Sequence, residues 1–118
     1  MKVEVEHMRV CVPIAADGVV DPRWGRAERL AFADVDNGEI KSWEEQEVNW
    51  GQLHEISTEA RHHANVARLM RDHLVEAVVA DHMGPGMLAM LERMKIRVHL
   101  GASGDARKAV VLASLSPA

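Results

Sequence analysis

The period of the apolar residues changes near residue 55, and this restricts the chain more than any other feature. Before that point, short β-branched runs are set off by turn residues. Residues 8–14 (Met-Arg-Val-Cys-Val-Pro-Ile) and 29–35 (Arg-Leu-Ala-Phe-Ala-Asp-Val) read as strands. Between them, Asp21-Pro22-Arg23-Trp24-Gly25-Arg26 reads as a loop punctuated by Pro and Gly. Asp36-Asn37-Gly38 predicts a hairpin, because Asn-Gly tolerates the positive φ that tight turns need, and a third strand follows over about 39–47. Beyond residue 55 a spacing of three and four takes over. Ile56, Ala60, Ala64, Ala67, Met70 and Leu74 predict an amphipathic helix over about 56–73, with Ser57 or Thr58 as its N-cap. Residues 74–80 predict a short buried strand. Gly84-Pro85-Gly86 opens a second helix running to about Met94, since Pro fits a first turn. Residues 96–100 predict a fifth strand and Asp105–Leu115 a third helix. The order β-β-β-α-β-α-β-α implies an α/β fold with a mixed five-stranded sheet. Its first three strands are expected to be antiparallel and the later ones parallel, joined by right-handed crossovers.

A length of 118 residues suits one domain, expected over 8–118, with residues 1–7 as an N-terminal extension ahead of Met8. Fourteen basic against eighteen acidic residues leave a net charge of −4. With only Trp24, Phe32, Trp43 and Trp50 as aromatics, this argues against a nucleic-acid partner, which calls for a basic stripe or stacking platforms. The longest apolar run, Val10–Ala16, falls far short of the ~20 residues that span a bilayer. Lys2, Glu4 and Glu6 do not resemble a secretory signal. No membrane association and a cytoplasmic location are therefore expected. Cys11 is the sole cysteine, so neither an internal disulfide nor a four-thiolate iron–sulfur site can form.

Seven His and seven Met invite a soft-metal reading. His54, His62 and His63 fall in or near the first helix, and neutral imidazole suits iron, copper and zinc. His62 and His63 diverge by about 100° on a helix, so they do not readily chelate one ion, but either could join His54 or His82. The plainer reading makes them solvent-facing or capping residues. Asp81-His82-Met83-Gly84 follows the buried strand, where open α/β sheets bind ligands, and Gly84 and Gly86 leave helix N–H groups free for an anion. The plainer reading is an ordinary connection shaped by Gly and Pro. No Lys-Ser/Thr follows these glycines, which excludes a nucleotide P-loop. Cys11 shares a strand face with Arg9 and Pro13 and reads as a small buried residue. Met83, Met87, Met90 and Met94 have helical spacing and read as core ahead of copper ligands. Glu44, Glu45 and Glu47 read as a solvated edge strand.

These pieces occur in an order that resembles a known family. "MRVCVPIAADGVV", "DPRWGRAERLAFADVDNGE", "HHANVARLMRDHLVEAVVADHMGPGMLAMLERMKIRVHLG" and "GDARKAVVLASL" together resemble the dinitrogenase iron–molybdenum cofactor biosynthesis domain of NifX/NafY type. The resemblance implies a ribonuclease H-like three-layer fold. It further implies non-enzymatic, transient binding or carriage of an iron–sulfur or molybdenum–iron–sulfur cluster or its precursor. The implied partners are a cluster donor or acceptor protein, with the chain a monomer or weak homo-oligomer. Arg23, Trp24, Gly25, Arg26, Asp81 and Gly84 would contact the cofactor, and His54, His62, His63 and His82 would ligate metal. Two positions depart from the family pattern. Arg23 stands where the family often has His, beside Trp24 in place of Phe; a guanidinium cannot ligate a metal but can pair with an anion. Lys95 stands where the family usually has the Gly of a helix C-cap. Arg23 favours the alternative of an interaction or regulatory domain that has the fold without the cluster. A metal-dependent nuclease ranks third, because it needs several converging carboxylates and Asp34 is the only in-strand Asp before Asp81.

Overall fold

The structure is a computed structural model and describes residues 6–52 and 58–115. Three strands come first: β1 (His7–Ile14), β2 (Arg29–Asp36) and β3 (Glu39–Glu47). They are followed by α1 (Glu59–Asp72), β4 (Ala77–Val79), α2 (Pro85–Arg93), β5 (Arg97–His99) and α3 (Ala106–Leu115). Trp24–Arg26 form a single 3-10 turn, and residues 50–52 are helical. The five strands make one sheet in the order β3-β2-β1-β4-β5. β1, β2 and β3 pair antiparallel, whereas β4 and β5 run parallel to β1, which is the mixed sheet the sequence predicts. The hairpin turns at Asn37 (φ 50°) and Gly38 (φ 80°), both in the left-handed region that an Asn-Gly pair supplies.

Alternation along β1 divides the core between the two sheet faces. Cys11 packs with Trp24, Phe32, Val66, Met70, Val78, Met87 and Leu91, beneath α1 and α2. Val10 and Val12 point the other way, into a cluster with Ala106, Ala109, Val110 and Ala113 of α3. Met87 is buried, and Met83, Met90 and Met94 pack partly buried against the first cluster, as their helical spacing predicts. β3 lies at the sheet edge, with Glu44, Glu45 and Glu47 exposed.

Three local expectations differ from the structure. α1 begins at Glu59, later than the predicted 56, and Thr58, one of the two predicted N-cap candidates, caps it with Oγ1 accepting the Arg61 N–H at 3.1 Å; Ser57 lies outside the described residues. The face of α1 also differs. Met70 is buried as predicted, but His62 and Val66 join it, while Ala60 and Ala64 are exposed. Alanine methyls offer little area to bury, so the larger side chains choose the face. Leu74 does not begin a strand. It takes φ 56° just past α1, where its N–H bonds the Arg71 carbonyl and the Val75 N–H bonds the Met70 carbonyl. That pair of bonds is a Schellman closure. It leaves Leu74 77% exposed and shortens the predicted 74–80 strand to Ala77–Val79. The segment that follows β3 is anchored at its start. The Val48 and Asn49 N–H groups share the Glu28 carbonyl, and Trp50 is buried with its N–H on the Ala27 carbonyl. Residues 53–57, including His54, lie outside the described residues.

Candidate binding cleft

The loop after β1 is shaped by local hydrogen bonds. Asp21 is buried; its N–H bonds the Pro13 carbonyl, and its Oδ1 accepts the Arg23 N–H at 2.9 Å. The Arg26 N–H then bonds the Arg23 carbonyl and the Ala27 N–H the Trp24 carbonyl, closing the 3-10 turn. This turn drives the Trp24 ring into the core and leaves Arg23 and Arg26 exposed. Arg23 also forms a parallel backbone bridge with His82, tying this loop to the connection between β4 and α2. On the far side of that connection Gly84 is the N-cap of α2, and Pro85 fills its first turn.

α1 supplies the third wall. The Trp24 ring meets Trp50 edge to face at 5.1 Å, and Trp50 meets His62 in the same way at 5.4 Å. His62 is therefore a buried wall residue, whereas His63 is partly exposed and lies 3.8 Å from Glu59 Oε1, four residues away on the same helix face. Gly86 lets two of the walls approach, while Gly25 leaves ordinary room. A Cβ on Gly25 would lie 3.8 Å from His62 Nε2, and one on Gly86 would lie 3.2 Å from His63 Cε1, tighter than ordinary packing. The result is an open cleft of about 530 Å³ lined by residues 23–26, Glu59, His62, His63 and residues 82–87. It sits beyond the carboxyl end of β4, where a parallel strand leaves room for a ligand.

The cleft thus collects Arg23, Trp24, Gly25, Arg26, Gly84, His62, His63 and His82. Asp81 is next to it but is not part of its lining; its carbonyl accepts the Gly101 N–H at 2.7 Å. His54 falls outside the described residues. Glu59, Met83, Pro85, Gly86 and Met87 complete the lining, and Trp50 stands behind Trp24. The spacing of Met83 and Met87 gave no sign of this second role, because one periodicity serves both core and cleft.

Electrostatically the cleft is a basic spot on an acidic chain. Among the described residues neither Arg23 nor Arg26 has a carboxylate partner within ion-pair distance. The N-terminal N–H groups of α2 add partial positive charge. Trp24 Nε1 is buried and, among the described residues, has no hydrogen-bond partner. Ready-made chelation is absent: no group of three or more His, Cys, Asp or Glu among the described residues gathers to hold a metal ion. The His62 and His63 rings are 6.2 Å apart and tilted by 52°, in keeping with their predicted divergence. Cys11 is fully buried in the core, and burial pushes its thiol pKa far up, so it offers no thiolate.

A second cleft, of about 700 Å³, opens at the amino end of β1. Several of its charges are paired with one another. Arg9 Nη1 donates to Asp34 Oδ2 at 3.1 Å, and Ser42 Oγ donates to the same oxygen at 2.6 Å. His7 Nδ1 lies 2.7 Å from Asp36 Oδ1, and the hydrogen bond to Asp36 raises the His7 pKa. The His73 ring stacks on Phe32 at 3.8 Å, with its Nε2 at 3.0 Å from Gln46 Oε1. Asp34 is thus held by an arginine and a hydroxyl, a poor arrangement for a two-metal nuclease. Among the described residues no helix is long and apolar enough to cross a membrane.

Comparison with known proteins places this geometry in a family. The chain is 26% identical over 98 residues to MJ0580, an uncharacterized protein of Methanocaldococcus jannaschii, covering 81% of this chain and 76% of that one. The crystal structure of PH0822 superposes with a TM-score of 0.70 at 22% identity over 90% of each chain. The apo form of the orange protein from Desulfovibrio gigas gives a TM-score of 0.62 at 24% identity, over 89% of this chain and 84% of that one. These two likenesses show a shared fold. The family model described as dinitrogenase iron–molybdenum cofactor matches residues 7–114, so the chain belongs to that family.

Proposed function

We propose that this protein binds and carries an anionic iron–sulfur or molybdenum–iron–sulfur cluster, or a precursor of one, in the cleft between residues 23–26, α1 and the start of α2. It acts as an accessory carrier in cofactor assembly and catalyses no reaction. One observation carries the reading: two exposed arginines, without an ion-pair partner among the described residues, and a helix N-terminus line the same open cleft as the imidazoles of His63 and His82. Membership of the dinitrogenase iron–molybdenum cofactor family supports it. Gly25 and Gly86 keep the walls free of Cβ atoms, and the buried Trp24 N–H has no hydrogen-bond partner among the described residues. Without a preformed chelate the cargo is held by charge and by one or two imidazoles, which suits release to an acceptor protein. Residues 8–118 form the binding unit, with residues 1–7 as its extension, and the β3-β2-β1-β4-β5 sheet between two helical layers is read as ribonuclease H-like.

The test is anaerobic reconstitution with iron, sulfide and molybdate, followed by gel filtration, a visible spectrum and metal analysis. Coloured, metal-bearing protein is expected. Arg23→Ala/Arg26→Ala and His54→Ala/His62→Ala/His63→Ala variants should lose most of the metal while keeping the fold. Unchanged metal content in both folded variants would overturn the site and promote the interaction-domain reading, which Arg23 at the usual His position favours.

A further inference from the structure

Arg23 and Arg26 also border a separate, smaller pocket. It has a volume of about 190 Å³ and is lined by Arg23, Arg26, Glu28, Asn49, Gly51 and Gln52. The two arginines are the only residues that it shares with the cleft. We propose that this pocket binds one inorganic hydrogen phosphate ion, held by both guanidinium groups and by the Asn49 and Gln52 carboxamides, with the Glu28 carboxylate accepting the phosphate O–H. The ligand is a free, metal-free anion, so the site goes beyond the cluster cargo and does not depend on it.

The backbone builds the pocket from two sides. On one side the Arg26 N–H bonds the Arg23 carbonyl at 3.1 Å, closing a turn in which residues three apart come to the same side. On the other, the Asn49 N–H bonds the Glu28 carbonyl at 3.0 Å and the Trp50 N–H bonds the Ala27 carbonyl at 2.9 Å. Trp50 buries its ring against Trp24, so both walls are pinned to the core. The walls come close at Gly51, where a Cβ would lie 3.3 Å from the Arg26 carbonyl oxygen, tighter than ordinary packing.

The donor set selects the ligand. Among the described residues no ion pair joins Arg23 or Arg26 to a carboxylate, so two like charges share one small pocket. An oxyanion relieves their repulsion, and a guanidinium fork matches phosphate oxygens two at a time. The two carboxamides add N–H donors without adding charge. Glu28 then discriminates among oxyanions. An ionised carboxylate only accepts hydrogen bonds. In mildly alkaline solution sulfate, molybdate and the dianion of a phosphomonoester offer it acceptors alone, whereas hydrogen phosphate still carries an O–H to donate. The volume also lies below the roughly 300 Å³ at which sites for larger organic ligands begin, and it suits a single small ion.

The experiment is a calorimetric titration of the metal-free full chain with inorganic phosphate, at low salt and mildly alkaline pH. Wild type is expected to bind one phosphate per chain, and to bind sulfate, molybdate and glycerol phosphate about tenfold more weakly. Arg23→Gln/Arg26→Gln should weaken phosphate binding by about tenfold or more, because it removes charge-assisted hydrogen bonds. Glu28→Gln replaces a pure acceptor with a group that also donates, so sulfate should then bind about as well as phosphate. Arg61→Gln/Arg68→Gln removes two exposed arginines that do not line the pocket, and it should bind as wild type does. Thermal unfolding checks each fold, and Arg26→Gln alone replaces the double variant if that one fails to fold. No phosphate bound by wild type, undiminished binding in the folded arginine variant, or sulfate held by wild type as tightly as phosphate would overturn the inference. Reconstitution with iron, sulfide and molybdate separates it from the carrier reading. Cluster retained without phosphate affinity refutes only the phosphate site, and phosphate bound without a cluster refutes only the cluster cargo. Gln52 lines this pocket and not the cleft, so Gln52→Ala should weaken phosphate binding and leave cluster uptake unchanged.

Discussion

Both helices of the α1/α2 layer end on a residue that is poorly suited to its backbone. Lys95 follows α2 with φ 62°, its N–H on the Glu92 carbonyl, and the Ile96 N–H closes back to Leu91. Leu74 occupies the same place after α1. A Cβ in the left-handed region costs roughly 1–2 kcal/mol. Glycine removes that cost but gives back about 0.4–1 kcal/mol through the freedom it adds to the unfolded chain. The difference leaves Lys95→Gly more stable than Lys95→Ala by about 1 kcal/mol. Alanine is the reference because both variants lose the same charge, so only the backbone term separates them. For a chain of this size 1 kcal/mol moves the melting temperature by about 4 °C. Urea unfolding followed by tryptophan fluorescence should resolve the gap, and the Leu74→Gly and Leu74→Ala pair should repeat it. Alanine and glycine variants of equal stability at both sites would refute the reasoning, because the closure would then carry no strain for glycine to relieve.

Three further outcomes follow from the packing and the titrating groups. Met70→Ala should cost about 2–5 kcal/mol, whereas Ala64→Ser should stay within about 0.5 kcal/mol; comparable losses in denaturant would mean that α1 buries the other face. His7 binds its proton more tightly in the folded chain because of Asp36, so its contribution is fully present below about pH 6.5 and fades as pH rises through the raised folded value. The stability deficit of His7→Gln should therefore shrink on going from about pH 6 to about pH 8.5, and a deficit that grows over that range would contradict the assignment. Cys11 should resist thiol reagents in the native state and react only on unfolding, and labelling at the rate of a free thiol would show that the strand is not buried as described.

The sequence alone determined what depends on a few neighbouring residues. Asn37-Gly38 places the hairpin, Pro85 opens α2, and strict alternation in β1 sends Cys11 and Val12 to opposite sides of the sheet. Each rests on backbone sterics or on one short-range hydrogen bond, so it survives whatever surrounds it. The loops and the helix that line the cleft could be named in the same way, because a motif keeps its residues wherever it is carried. Tertiary structure decided how these parts meet. Only the pairing of β1 with β4 brings residues 23–26 against residues 82–87, and the Arg23–His82 bridge fixes that contact across nearly sixty positions of chain. The face of α1 was likewise undecided until packing set His62 and Val66 beside the predicted Met70, in place of alanines too small to compete. The same holds for Met83 and Met87, whose helical spacing marks them as core and cannot show that one end of the core is open. Burial is a sum over surfaces that are distant in sequence, and no local pattern contains that sum.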